Sequence, residues 1–271
     1  MRAVILSFLM LWPVAVTAQS ARIQDEVLDV MQIETVFGIM QEEAIDAGVD
    51  LGASMMPGRD LSGWEATLTR LNAPVRVIPD FRDAFAEALS DRDGEQILAY
   101  LQSSMGRRII DLELSARIAL NAPDIEAAVL DRFETLETED PARAAALRRF
   151  IEVNDLVDAN VRGAMAANAA FLTGMRDGAD ATGSARGDII ADVWAQEPEI
   201  RASTQDWLTA FVALAYRPLS DADLAAHIAF SETTAGQAMN DALFAAFGAI
   251  FADLSYETGA SLARLIGSED L

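Results

Sequence analysis

The chain contains no cysteine and no lysine, and its only histidine is His227. The first absence excludes disulfides, thiolate nucleophiles and cysteine-built zinc sites. The second excludes a P-loop lysine, Schiff-base chemistry and Ser-Lys dyads. Sites that need two histidines are excluded as well, and a Ser-His-Asp triad would have to use His227. Alternating runs of Val, Ile, Thr and Tyr are also missing, so no segment competes as a strand. What is present is alanine, 50 of 271 residues, with apolar positions returning at helical spacing along almost the whole chain. The pattern predicts an all-α protein.

Basic charge is scarce. The 20 basic residues, all arginine, face 43 acids, for a formal charge of −23. Such a surface repels phosphate, which argues against nucleic acid and against binding anionic lipid heads through basic contacts. With 52% hydrophobic residues the chain is too apolar for a disordered acidic tail and has enough side chain for a core.

Met1-Arg2-Ala3 places one positive charge before an apolar run from Val4 to Val16, followed by the small residues of Ala15-Val16-Thr17-Ala18 and then Gln19-Ser20. The run is short for a membrane span and suits a cleaved secretory signal over residues 1–18. Cleavage removes only Arg2 among the charges and takes the net charge from −23 to −24. No later segment is both long and apolar enough to insert, so no membrane span is expected after cleavage. Export without cysteine points to a bacterial envelope, with the periplasm as destination.

Ile23, Val27, Val30, Met31, Phe37 and Ala44 mark one face of a first long helix stopping near Gly48. A second starts at Ser62 with a capping box closed by Glu65. Further helices are expected over about 78–89, 91–102 and 104–120. Pro123 starts another, and Asp140-Pro141 starts a long one ending near Gly178.

Sliding the sequence along itself by 130 residues superposes distinctive residues in order. Gly48 falls on Gly178, Trp64 on Trp194, Phe81 on Phe211, Gly106 on Gly236 and Asp111 on Asp241. Leu89-Ser90-Asp91-Arg92-Asp93 meets Leu219-Ser220-Asp221-Ala222-Asp223, aromatic Tyr100 meets Phe230, and Ser103-Ser104 meets Thr233-Thr234. The expected architecture is a helical bundle built from two tandem divergent copies of a roughly five-helix unit. The first copy covers 19–122, a connecting helical segment 123–150, and the second copy 151–271, the two burying faces against one another.

The duplicated residues read as architecture. Ser90 and Ser220 are placed to be N-caps, with Asp93 and Asp223 as the reciprocal acids at the third helical position. Ser103 and Thr233 are the next caps, and Gly106 and Gly236 fall in the first turn, where a missing side chain permits close packing. Trp64 and Trp194 are expected as core anchors, ligand stacking being the alternative. The stretch from Leu219 through Ile228-Ala229-Phe230 to Thr233-Thr234-Ala235-Gly236-Gln237 resembles the bacterial exported proteins grouped as domain-of-unknown-function family 2059, and Leu89 to Arg108 resembles them too. Ser231 or Leu101 stands where that family has a second aromatic residue, and Thr234 or Ser104 where it has proline. The resemblance implies an exported helical domain of unknown function and brings no catalytic residues.

Sharper sites fail on inspection. An EF-hand register with Gly94 sixth puts Leu89 and Tyr100 at the first and twelfth positions, where acids are needed. Gly38-Ile39-Met40-Gln41 is similar to a step in lytic transglycosylases, but the accompanying Glu-Ser and Ala-Tyr-Asn stretches do not occur in order. Asp80, Asp83 and Glu87 share one helical stripe, expected as a solvated face with Arg76 and Arg82 as partners. His227 reads as a core-edge histidine with a local hydrogen bond, and Arg107-Arg108 and Arg148-Arg149 as salt-bridge partners within the protein. No catalytic, cofactor or metal residues are assigned. The inventory favours a non-enzymatic cell-envelope binding or interaction module with an unidentified envelope protein or ligand as partner. A carboxylate-dependent hydrolase or lyase acting on envelope glycans is the alternative, since it needs only one or two acids in a cleft. Calcium-dependent regulation through the acidic faces is a third reading.

Overall fold

The computed structural model describes residues 22–179 and 186–267; the expected signal sequence, residues 1–18, lies outside them. The described residues form twelve helices and no strand: α1 Ile23–Val30, α2 Ile33–Met55, α3 Ser62–Leu71, α4 Pro74–Ala88, α5 Asp91–Leu101, α6 Ser104–Leu120, α7 Pro123–Glu139, α8 Pro141–Val153, α9 Leu156–Gly178, α10 Arg186–Ala215, α11 Asp221–Ser231 and α12 Thr234–Gly267. The all-α expectation holds. No helix among the described residues is long and apolar enough to cross a membrane.

The helix starts follow side-chain chemistry. Ser90 Oγ accepts from the Asp93 amide at 3.2 Å and Ser220 Oγ from the Asp223 amide at 3.1 Å. Ser103 Oγ and Thr233 Oγ1 accept from the amides of Gly106 and Gly236, each at 3.0 Å. Each satisfies a donor that has no partner inside its own helix. The reciprocal acid differs from expectation, because the Asp93 carboxylate accepts from the Ser90 hydroxyl at 2.6 Å. Ser62 does not cap α3 with Glu65. Asp60 stands before it, and its carboxylate accepts from the Ser62 amide at 3.0 Å and hydroxyl at 3.1 Å.

Two long helices expected as continuous are broken. Gln32 (φ 56°) separates α1 from α2, and Asp155 (φ 49°) separates α8 from α9, the two non-glycine residues with left-handed backbone among those described. The first helix also runs past Gly48 to Met55. Gly48 is an interior packing position rather than a stop, since a Cβ there would lie 2.6 Å from the Leu68 side chain of α3.

Some helices of the two halves have equal lengths, α5 and α11 starting 130 residues apart but α2 and α9 only 123. α2 and α9 have 23 residues each, and α5 and α11 have 11 each. On α1, Gln24 Nε2 donates to the Leu89 carbonyl at 2.8 Å and the Asp91 carboxylate at 2.9 Å. On α8, Arg143 donates to the matching Leu219 carbonyl at 2.9 Å and the matching Asp221 carboxylate at 2.5 Å. Arg143 thus belongs to the second set of contacts, although it falls in the segment expected as a connector. The halves also exchange helices. α12 packs on α4, with Phe247 and Phe81 ring centroids 4.6 Å apart, while α6 packs on α10, with the Arg117 guanidinium 6.0 Å from the Trp207 ring. At the centre Tyr100 and Phe230, which share one sequence register, stack with centroids 3.7 Å apart and planes 5° from parallel.

The exchange leaves no core belonging to one half. One cluster joins Val27, Phe37, Phe81, Phe85 and Ile97 to Ala242, Ala246 and Ile250; another joins Ile109 and Ala116 to Leu147, Phe150, Val212 and Tyr216. Burial of each large side chain stabilises by about 1.5–3 kcal/mol, so either half alone would expose a substantial apolar face.

The halves differ in two places. Asn72-Ala73-Pro74 separates α3 from α4, whereas the matching Ala202-Ser203-Thr204 has no proline and α10 continues through it. α12 has 34 residues where α6 has 17. The extra length of α12 runs beside α9 in the same direction, at backbone contact. A Cβ on Gly174 would lie 2.1 Å from the Tyr256 carbonyl oxygen, and one on Gly259 would lie 2.2 Å from that of Phe171.

Candidate functional site

The two tryptophans in matching register have opposite fates. Trp64 is 1% exposed, its indole N–H donating to the Gly48 carbonyl at 2.7 Å, in a cluster with Met56, Leu68 and Leu262. The cover comes from the C-terminal half of α12, through Leu262, Leu265 and Ile266. Trp194 on α10 is 63% exposed and Ile190, one turn earlier, 50% exposed. The core-anchor expectation is therefore corrected for Trp194. α6 ends at Leu120, so it supplies no counterpart of the covering half of α12.

Between α9 and α10, Trp194, Ile190 and Val193 form one wall of a cleft of about 270 Å³, and Met165, Ala166 and Ala169 the other, with Arg162 at its edge. Arg162 is held by Asp155 at 3.0 Å. The lining is apolar and suits a hydrophobic guest better than an ionic one.

A second cleft, about 490 Å³ and open, is lined by Arg22, Gln24, Glu87, Asp91 and Glu95 together with Ile23 and Ala86. It contains carboxylates but no aromatic residue. Its charges are partly engaged, Asp91 with Gln24 and Arg22 with Asp25 and Asp83. Asp80, Asp83 and Glu87 are not joined by the arginines expected. Arg82 reaches Asp29 at 2.6 Å and Arg76 reaches Glu257 at 2.6 Å, leaving Arg22 as the partner of Asp83. No group of three His, Asp or Glu side chains among the described residues could hold a metal ion. Three of the four arginines in the two pairs bind within the protein: Arg108 donates to the Pro218 carbonyl at 2.7 Å, Arg148 pairs with Glu137, and Arg149 with Glu232 at 2.9 Å.

Gly106 and Gly236 each sit inside a corner. A Cβ would lie 2.3 Å from the Tyr100 carbonyl oxygen in the first and 2.2 Å from that of Phe230 in the second. The close approach is to the preceding helix, and it sets the angle at which α5 meets α6 and α11 meets α12.

That corner places Tyr100 against a polar cluster that sequence reasoning did not assemble. His227 is 5% exposed. Its Nδ1 lies 2.7 Å from the Tyr100 hydroxyl and its Nε2 3.2 Å from that of Tyr216, and Tyr216 donates to Glu113 Oε1 at 2.6 Å. The histidine belongs to the core, but its hydrogen bonds are not the local one expected: Tyr216 is 11 residues away, and Tyr100, like the neighbouring Glu113, comes from the other half of the chain. Burial pushes the Glu113 carboxyl up to about 7 and His227 down to about 4. A third of the Glu113 side chain is exposed, yet its carboxylate end is densely surrounded by protein. Rarity was the available signal, since the chain has three tyrosines and one histidine, and two of those tyrosines meet that histidine.

Among the described residues these features define an all-helical fold with an exposed apolar cleft and a buried polar junction. No family model matches the chain, and no curated protein or solved structure matches it either.

Proposed function

We propose that this is an exported, periplasmic helical protein acting as a cell-envelope binding or interaction module, built from two divergent copies of one helical unit. The observation that carries the binding role is the exposed Trp194 and Ile190 wall above an apolar cleft of about 270 Å³. In the other half, the face that holds the matching tryptophan is covered by an apolar helix. The occupant of the Trp194 cleft is accordingly an envelope protein presenting an apolar helical face. The signal-like start supports export, and the acidic composition argues against nucleic acid as the partner. The two-copy reading is supported by the shared caps, the shared glycine corners and the Tyr100–Phe230 stack. The resemblance to family 2059 belongs to the same reading.

A photoreactive side chain at Ile190, activated in intact cells, tests the role. It should give one discrete envelope-protein adduct that Trp194→Asp abolishes. The absence of any adduct, together with turnover of an envelope glycan by the purified protein that Glu87→Gln abolishes, would replace the binding role with the carboxylate-dependent hydrolase. That second reading rests on the cleft containing Glu87, Asp91 and Glu95.

A further inference from the structure

The Tyr100–His227–Tyr216–Glu113 cluster has a defined hydrogen-bond polarity. An ionised carboxylate only accepts, so with Glu113 charged the single Tyr216 proton points at Glu113. The Tyr216 oxygen then accepts from His227, which fixes the proton on Nε2. The neutral ring leaves Nδ1 as an acceptor, and Tyr100 donates to it. Every donor points toward Glu113, and the chain runs from α5 through α11 and the turn that follows α10 to α6, crossing between the two halves twice.

A proton added to this chain can leave all four groups neutral, and reversal of the bonds is the arrangement that gives the new Glu113 hydroxyl a partner within the cluster. We propose that His227 is a tautomeric switch: uptake of one proton by the cluster leaves Glu113 neutral, reverses every hydrogen bond in the chain and moves the ring proton from Nε2 to Nδ1. The transfer balances. Tyr216 passes its proton to Glu113, His227 passes its Nε2 proton to Tyr216, Tyr100 passes its proton to Nδ1, and water supplies one proton to Tyr100. In the reversed chain Glu113 donates to Tyr216, Tyr216 to Nε2, and Nδ1 to Tyr100, whose hydroxyl is released to face outward. Direct protonation of Glu113 with reorganisation of the same bonds reaches the same end state.

The surroundings favour neutral groups over an imidazolium. Phe150 of α8 lies over the ring at 4.9 Å, and Tyr216 meets it edge-on at 5.2 Å. Glu113 Oε1, 3.9 Å from His227 Nε2, would favour an imidazolium while ionised, but burial acts the other way on both groups, lowering His227 and raising Glu113. The nearby cations are committed elsewhere: Arg143 of α8 donates to the Tyr216 and Leu219 carbonyls and to Asp221, and Arg108 of α6 donates to the Pro218 carbonyl and faces Asp223 at 3.6 Å. Burial raises both cluster tyrosines as well, so the phenols stay protonated. Between about 4 and about 7 the carboxyl is protonated and the imidazole is not, the range in which the reversed chain is populated.

His227 is the sole histidine of the sequence, so its two ring nitrogens are observable without ambiguity by long-range proton–nitrogen correlation NMR on the full-length protein. Above the Glu113 transition Nε2 should show the protonated-type shift and Nδ1 the unprotonated type; below it the two should exchange roles, with a midpoint near 7. Glu113→Gln, whose amide oxygen still accepts from Tyr216, should hold the Nε2–H form throughout. Tyr216→Phe, close to isosteric at a fully buried position, should uncouple the ring and abolish the transition. One unchanged tautomer across that range in the unsubstituted protein would overturn the proposal. So would conversion to an imidazolium with both nitrogens protonated, or an exchange that survives in Glu113→Gln.

Discussion

Replacing Gly174 by alanine would place a methyl carbon 2.1 Å from the Tyr256 carbonyl oxygen and 2.9 Å from the Ala260 amide nitrogen, more than an ångström inside ordinary contact for the first. Both are backbone atoms of α12, so no side chain can turn aside and the two helices must separate along their contact. Forcing a methyl into a close-packed interface costs about 1–3 kcal/mol, and the upper end applies where the obstruction is backbone. Against this stands the helix-propensity gain of alanine over glycine, about 1 kcal/mol. The expected net is destabilisation by about 2 kcal/mol, a fall in Tm of roughly 4–8 °C for a chain of this size. Gly163 and Gly248 lie in the same two helices with nothing near a built Cβ, and alanine there should stabilise by about 0.5–1 kcal/mol. Urea titrations followed by helical circular dichroism give all three values. If Gly174→Ala proved as stable as Gly248→Ala, the α9–α12 backbone contact would not exist as described.

Other expectations follow from the same geometry. Ser90→Ala and Ser220→Ala should each cost about 1 kcal/mol of unfolding free energy, since each removes a matching helix cap. Trp64→Ala should cost about 3–5 kcal/mol while Trp194→Ala stays within about 0.5 kcal/mol, a contrast that equal thermal shifts would refute. The pH dependence of stability should diverge between two cluster variants. The Glu113 carboxyl is raised from 4.5 to about 7, so its contribution is full below 4.5 and lost as pH rises through 7; His227 is lowered from 6.5 to about 4, so its contribution is full above 6.5 and lost as pH falls through 4. Relative to the unsubstituted protein, His227→Gln removes the His227 contribution and should gain stability as pH falls from 6.5 to 4, whereas Glu113→Gln removes the Glu113 contribution and should lose stability as pH falls from 7 to 4.5, measured by denaturant titration at each pH. The same sign in both variants would contradict the two shifts.

Local chemistry was legible in the sequence and long-range consequences were not. The Ser90, Ser220, Ser103 and Thr233 caps, the Asp140-Pro141 start and the span of α6 could be read because each depends on neighbours within a turn. The breaks at Gln32 and Asp155 carry neither glycine nor proline, so propensity gives no signal of their left-handed conformation. The fusion of α3 and α4 into α10 was encoded in the missing counterpart of Pro74, a difference that a search for similarity passes over. Trp194 was misplaced because its burial depends on a covering helix 17 residues longer than α6, not on its own neighbourhood. Tyr100 and Glu113 meet His227 across more than a hundred residues, a distance over which spacing rules say nothing.

Oxidative footprinting of tryptophan, read by mass spectrometry on the purified protein and then in intact cells, tests the binding role most directly. Trp64 serves as the internal reference and should be protected in both settings. Trp194 should be modified readily in the purified protein and protected in cells, where a partner covers it. Equal modification of Trp194 in both settings would contradict the account.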